Sequence, residues 1–213
     1  MTILKNLFYN INFKKNVFLP NNNKKTIYKI HETIKHLPCF NILQNKKLLE
    51  KTIKQTLTFS KGKKNFLIFG TGGSSLGSKA LINILQKDKN INIFFYDNID
   101  PISFKNSIDQ INLKTAGIIV ISKSGSTPET LSQYLSIIEI FDQKNLLNIL
   151  YRNSLIITED KISSLSKIAH NNNVMLLNHE KDIGGRYSVF SNVGMVPAII
   201  AGIDVKKIHL GAL

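Results

Sequence analysis

At 213 residues the chain holds one large domain, or one domain and an appendage, and 43% hydrophobic residues suffice for a sizeable core. The net charge of +14 rests on lysines scattered along the whole sequence and on only two arginines, Arg152 and Arg186, so no nucleic-acid groove with interleaved arginines and aromatics is expected. No apolar run of about 18 residues and no secretory leader stand in the sequence, and the single cysteine, Cys39, excludes an internal disulfide, so a soluble protein of a reducing cytoplasm with no membrane partner is expected.

In chain order, Asn21-Asn22-Asn23-Lys24-Lys25 reads as loop. Ile27, Ile30, Ile34 and Leu37 recur at a helical period that stops before Pro38. Leu48, Leu49, Ile53 and Leu57 predict a second helix. Residues 1–60 are therefore expected to be a helical lead-in, and 61–213 a separate domain.

From residue 61 the pattern alternates. Strands are predicted at 65–69, 91–96, 117–122, 154–158 and 174–177, and helices at 75–86, 102–111, 127–141 and 161–169. Asp100-Pro101 reads as a helix N-cap followed by proline at the first helical position. Ser126-Thr127-Pro128-Glu129 reads as a capping box. Short apolar strands separated by helices imply a parallel sheet covered on both faces, an αβα sandwich. Ligands in such folds sit outside the C-terminal ends of the strands.

Two strand-to-helix loops carry the chemistry. Gly70-Thr71-Gly72-Gly73-Ser74 follows the first strand, and Ser122-Lys123-Ser124-Gly125-Ser126-Thr127 follows the third. Glycines let backbone N–H groups approach a ligand closely, and a helix N-terminus favours an anion. The second loop packs four hydroxyls and an ammonium into six residues, more donors than a structural turn needs. Both loops therefore predict a bound phosphate group, and no Walker sequence accompanies them. The first loop also nearly matches GxGxxG, with Asp97 placed as a ribose-binding acid, so a dinucleotide is a second candidate for that loop. A third segment, Asp182-Ile183-Gly184-Gly185-Arg186-Tyr187-Ser188, offers Arg186 to developing negative charge in a cleft, or to a structural ion pair with Glu129. His31, His36, His170, His179 and His209 show no metal-ligand spacing and receive no catalytic role, and Cys39 reads as a small buried residue.

Gly-Thr-Gly-Gly-Ser-Ser-Leu-Gly (70–77), Ser-Lys-Ser-Gly-Ser-Thr-Pro-Glu-Thr (122–130) and Gly-Gly-Arg-Tyr-Ser-Val-Phe-Ser-Asn-Val-Gly (184–194) together resemble the glucose-6-phosphate isomerase family of the sugar isomerase (SIS) superfamily, over about residues 60–205. The resemblance implies a five-stranded parallel SIS-type sheet and reversible conversion of glucose 6-phosphate to fructose 6-phosphate, a step of glycolysis and gluconeogenesis, with no metal and no cofactor. It places the sugar phosphate on Gly73, Ser74, Ser122, Lys123, Ser124 and Thr127, within a cradle that includes Gly125 and Ser126. It gives Arg186 the support of the cis-enediolate, and Glu129 a place at the edge of the active site. The family's glutamate base, ring-opening histidine and a further lysine lie in the second half of a longer chain. This chain is thus expected to bind the sugar phosphate as an N-terminal portion and to be inactive by itself, with a homodimer or a complementing C-terminal chain as possible partner. The alternative is a stand-alone regulatory module that binds a sugar phosphate without catalysis.

Overall fold

The computed structural model describes residues 24–86 and 90–213. The chain divides into two compact units, one ending at His36 and one spanning Leu37–Leu213. In the first, helix α1 runs Lys24–Lys35, where the apolar period predicted it, and Lys35 pairs with Glu32 at 2.8 Å. Asn21–Asn23, read as loop, lie outside the described residues.

The second unit is built on five parallel strands: β1 (Asn65–Phe69), β2 (Asn92–Tyr96), β3 (Gly117–Ile121), β4 (Ser154–Thr158) and β5 (Met175–Asn178). Their order is β2-β1-β3-β4-β5. In register, Phe69 lies beside Tyr96 on one side and Val120 on the other, and Ile121 beside Ile157. Every residue of β3 and β4 is buried, which is why these strands read as unbroken apolar runs.

The helices after α1 are α2 (Pro38–Asn41), α3 (Lys46–Ser60), α4 (Leu76–Leu85), α5 (Pro101–Asp109), α6 (Pro128–Gln143), α7 (Leu147–Arg152), α8 (Ser164–Asn171), α9 (Asn192–Ile200) and α10 (Val205–Ala212). Successive strand side chains point to opposite faces, so each face has its own core. Leu67, Phe69, Ile118, Val120 and Ile156 pack with Tyr134, Ile137 and Phe141 of α6, Leu150 of α7 and Leu165 of α8. Phe66, Ile68, Ile119, Ile121, Leu155 and Ile157 pack with Phe59 of α3 and Val193, Val196 and Ile200 of α9.

Two expectations are corrected here. The lead-in was expected to part from the domain near residue 60, yet α3 belongs to the sheet-bearing unit. It buries Phe59 in the second core, and the Thr52 hydroxyl donates to Asn192 Oδ1 at 2.6 Å. The second correction is α9, whose nine residues are all buried. A helix without a polar face shows no period, so the apolar run 193–200 gave no helical signal.

Candidate functional site

Strands β1 and β3 are neighbours, but the chain leaves them in opposite directions, toward β2 and toward β4. Such a reversal opens a crevice at the C-terminal edge of the sheet. The two loops that enter it are the glycine-rich 70–75 and the hydroxyl-rich 122–127.

The glycine-rich loop closes a 3₁₀ turn over Gly72–Ser74, with Ser74 N–H donating to Thr71 O at 3.1 Å and Ser75 N–H to Gly72 O at 3.1 Å. Ser75 is fully buried and its hydroxyl donates back to Gly72 O at 3.2 Å. Gly73 lies against the Arg186 segment. A Cβ at Gly73 would stand 2.3 Å from the carbonyl carbon of Gly185 and 2.7 Å from the amide nitrogen of Arg186. Only glycine permits that approach.

In the hydroxyl-rich loop, Ser122 is buried at the end of β3. Its Oγ accepts from Gly125 N–H at 3.1 Å and shares a hydrogen bond with Thr127 Oγ1 at 2.7 Å. Ser124 Oγ accepts from Ser126 N–H at 3.2 Å. Gly125 turns the chain at φ +67° and is backed by β4 and α8, for a Cβ there would stand 2.1 Å from Ser163 Oγ and 2.8 Å from Thr158 Oγ1. Ser124 and Ser126 are exposed, while Lys123, Thr127 and Glu129 are half-buried. The ammonium of Lys123 donates to the carbonyls of Lys181, at 2.6 Å, and Ile183, at 3.0 Å.

The expected capping box at 126–129 does not form. Thr127 is the N-cap of α6, and its hydroxyl turns to Ser122 rather than to the helix. No side chain caps α6, and none caps α4, which opens from the glycine-rich loop. The other helices of eight or more residues whose N-caps are described each have a side-chain cap: Asn45 on α3, Asp100 on α5, Ser163 on α8, Ser191 on α9 and Asp204 on α10. The first N–H groups of a helix have no partner inside it and carry the positive end of its dipole. Two uncapped N-termini therefore face one crevice.

Arg186 is exposed on a 3₁₀ turn, Gly185–Tyr187, that packs on the Gly72–Ser74 turn. Among the described residues it forms no ion pair, so the structural pairing with Glu129 is not made. Asp97, weighed as a ribose ligand, is engaged in an ion pair with Lys79 of α4. Among the described residues no cluster of three metal-ligating side chains occurs, and no helix is long and apolar enough to cross a membrane.

Sequence reasoning passed over three residues beside this edge. Thr130, in the first turn of α6, is buried and its hydroxyl has no partner. Thr158 closes β4, and its hydroxyl donates to Lys123 O at 3.4 Å. His179 is fully buried at the end of β5, its N–H on Thr158 O at 2.8 Å and its Nδ1 3.2 Å from Glu180 O. Burial pushes its imidazole pKa below the usual histidine value. A signal existed only for Thr130, which stands one helical turn after Thr127 and so shares its face.

A family model described as phosphoglucose isomerase matches residues 38–212. Among curated proteins, a probable glucose-6-phosphate isomerase of Haloquadratum walsbyi is 32% identical over 146 residues, 68% of this chain and 33% of that protein. The glucose-6-phosphate isomerase of Campylobacter jejuni is 33% identical over 167 residues, 75% of this chain and 40% of that protein. The chain thus spans between a third and two fifths of the length of these relatives. Among solved structures, a hypothetical protein of Thermus thermophilus superposes with a TM-score of 0.79 at 22% identity, over 88% of this chain and 46% of that one. A glucose-6-phosphate isomerase of Chlamydia trachomatis superposes with 0.66 at 23% identity, over 78% and 31%. Both share the fold.

Proposed function

The chain belongs to the phosphoglucose isomerase family, and we propose that it is the sugar-phosphate-binding part of an isomerase that interconverts glucose 6-phosphate and fructose 6-phosphate. The observation that carries this reading is the pair of uncapped helix N-termini, α4 and α6, at the reversal between β1 and β3. An anion there meets unpartnered N–H groups, the positive ends of two helix dipoles and the hydroxyls of Ser74, Ser122, Ser124, Ser126 and Thr127. Gly73 and Gly125 let the backbone come close. The phosphate fixes one end of the sugar, which leaves the carbonyl end to the chemistry.

That chemistry moves a proton between two adjacent carbons and passes through an enediolate. A cation beside the oxygen where charge develops lowers the barrier, because it acts more strongly on the transition state than on the substrate. Arg186, exposed, unpaired and joined through Gly185 to the glycine-rich loop, takes that role here, with Glu129 at the margin of the site. In this reading the proton-transfer base and the ring-opening acid come from residues outside these 213, on the same polypeptide, a complementing chain or a second copy. The described cradle then binds substrate, and the 213 residues by themselves do not turn it over.

Titration calorimetry of the 213-residue chain tests both halves. Fructose 6-phosphate should bind and fructose should not, and a coupled assay should find no turnover. Absence of sugar-phosphate binding, or a thermal shift with NAD that sugar phosphates do not give, would overturn the binding role. Turnover by the purified chain that disappears in Arg186→Ala would overturn the claim of inactivity.

A further inference from the structure

We propose that Lys123 is a positioning residue whose ammonium clamps the Arg186-bearing segment onto the hydroxyl-rich loop, so that toward the ligand it offers its backbone N–H and not its charge. The side chain leaves the loop after β3 and crosses to the segment that follows β5. Its Nζ donates to two main-chain carbonyls there, Lys181 O at 2.6 Å and Ile183 O at 3.0 Å. Those carbonyls stand five and three residues before Arg186. Ile183 is itself buried, so the second bond fastens the part of the segment that already packs inward.

The other end of the clamp is also fixed. The carbonyl of Lys123 accepts from Glu159 N–H at 3.2 Å and from the Thr158 hydroxyl at 3.4 Å, which ties this residue to the end of β4. His179 N–H holds Thr158 O from the β5 side. One lysine thus links the ends of three strands to the arginine segment. Two of its three N–H donors are spent on carbonyls, and a charged donor makes stronger hydrogen bonds than a neutral one. Arg186 has no ion pair of its own among the described residues, so its placement depends on what holds residues 181–185. Two contacts do so from across the crevice: Gly73 on the Gly185 backbone, and Lys123 on Lys181 and Ile183.

The geometry of the clamp is independent of the sugar-phosphate reading; only its consequence for Arg186 rests on that reading. The test is amide hydrogen exchange of residues 180–188 in the wild type, Lys123→Met and Lys123→Arg, together with the affinity of each for inorganic phosphate. In Lys123→Met the amides of Ile183, Tyr187 and Ser188 should exchange at least about tenfold faster while those of β1 and β3 stay slow. Lys123→Arg, which keeps donors for the carbonyls, should recover most of that protection. Phosphate affinity should stay within about threefold in both.

Unchanged exchange in Lys123→Met overturns the clamp, as does a Lys123→Arg variant no better protected than Lys123→Met. A loss of phosphate affinity of about tenfold or more also overturns it, because the ammonium is then a ligand. If Lys123→Met unfolds and exchanges everywhere, Lys123→Arg decides by the same criteria. If the wild type binds no phosphate, the functional reading fails, and the exchange arm still decides the clamp.

Discussion

Four loops leave the same edge of the same sheet toward a helix, and they fall into two kinds. The loops after β2 and β4 satisfy themselves. Asp100 takes the N–H of Ile102 and the hydroxyl of Ser103, and these bonds hold its carboxyl below its ordinary pKa, the Ser103 hydroxyl most of all. Asn98 O receives Gln133 Nε2 at 2.6 Å. Ser163 and Ser166 close a reciprocal capping box on α8. The loops after β1 and β3 do the opposite. Ser75 bonds its own turn, Ser122 bonds Thr127, and neither helix receives a side-chain cap. Architecture does not separate the two kinds. What separates them is where the first N–H groups of each helix find partners, and the two loops that leave them open are the adjacent pair at the reversal of the chain.

The largest effect should come from the tightest contact between the open loops. In Gly73→Ala the new Cβ must push back the Gly185 backbone, and backbone cannot yield as a flexible side chain does. Such overpacking costs about 1–3 kcal/mol, and it also separates the cradle from Arg186. Gly185→Ala is the control from the other side of the contact, since its Cβ would meet nothing nearer than 3.8 Å. Urea unfolding and calorimetry with fructose 6-phosphate should find Gly73→Ala destabilised and unable to bind, and Gly185→Ala within about 0.5 kcal/mol of wild type. Wild-type binding by Gly73→Ala would break the link between this contact and the site.

Acid should act on the closed, buried side of the same edge. His179 and His209 are both buried, and burial lowers both pKa values from the ordinary histidine value of 6.5. The unfolded chain then binds protons that the folded chain refuses. Stability is fully present above the unfolded pKa, and it falls as pH drops below about 6.5, levelling only beneath the depressed folded values. The slope is at most about 1.4 kcal/mol per pH unit for each histidine. Unfolding midpoints between pH 7.5 and 5 should show the fall in the wild type and a shallower one in His179→Gln. An equal slope in both would remove His179 from this account.

Much of the frame is written locally. β1 and β4 run over the residues that their apolar pattern predicts, and Asp100-Pro101 caps and opens α5 as read. Both phosphate loops stand where their glycines and hydroxyls put them. What the sequence hid depends on partners distant along the chain. α9 has no period because it has no polar face. Ser126–Glu129 has the letters of a capping box, but the hydroxyl that would cap is drawn to Ser122, five residues before Thr127. The arginine segment could be named from its motif, yet its attachment runs through Gly73 and Lys123, which are 112 and 60 residues from Gly185 and Ile183.

The smallest effect separates the two kinds of loop most directly. Ser163→Ala removes both halves of the capping box that closes α8 and should cost about 1 kcal/mol, with no change in sugar-phosphate affinity, because that hydroxyl is spent on Ser166 within its own cap. Thr127→Ala removes an N-cap hydroxyl that caps nothing. Ser122 Oγ keeps Gly125 N–H, so stability should move by no more than about 0.5 kcal/mol. Fructose 6-phosphate, however, loses a hydroxyl donor at the mouth of α6, and a hydrogen bond to a charged group is worth about 1.5–3 kcal/mol, so its affinity should fall at least about tenfold. The two substitutions thus delete the same group from the same position of two helices and should give opposite pairs of results, one in stability and one in binding. If Thr127→Ala instead lost as much stability as Ser163→Ala and no affinity, the openness of α6 would be a feature of the fold with no bearing on a ligand.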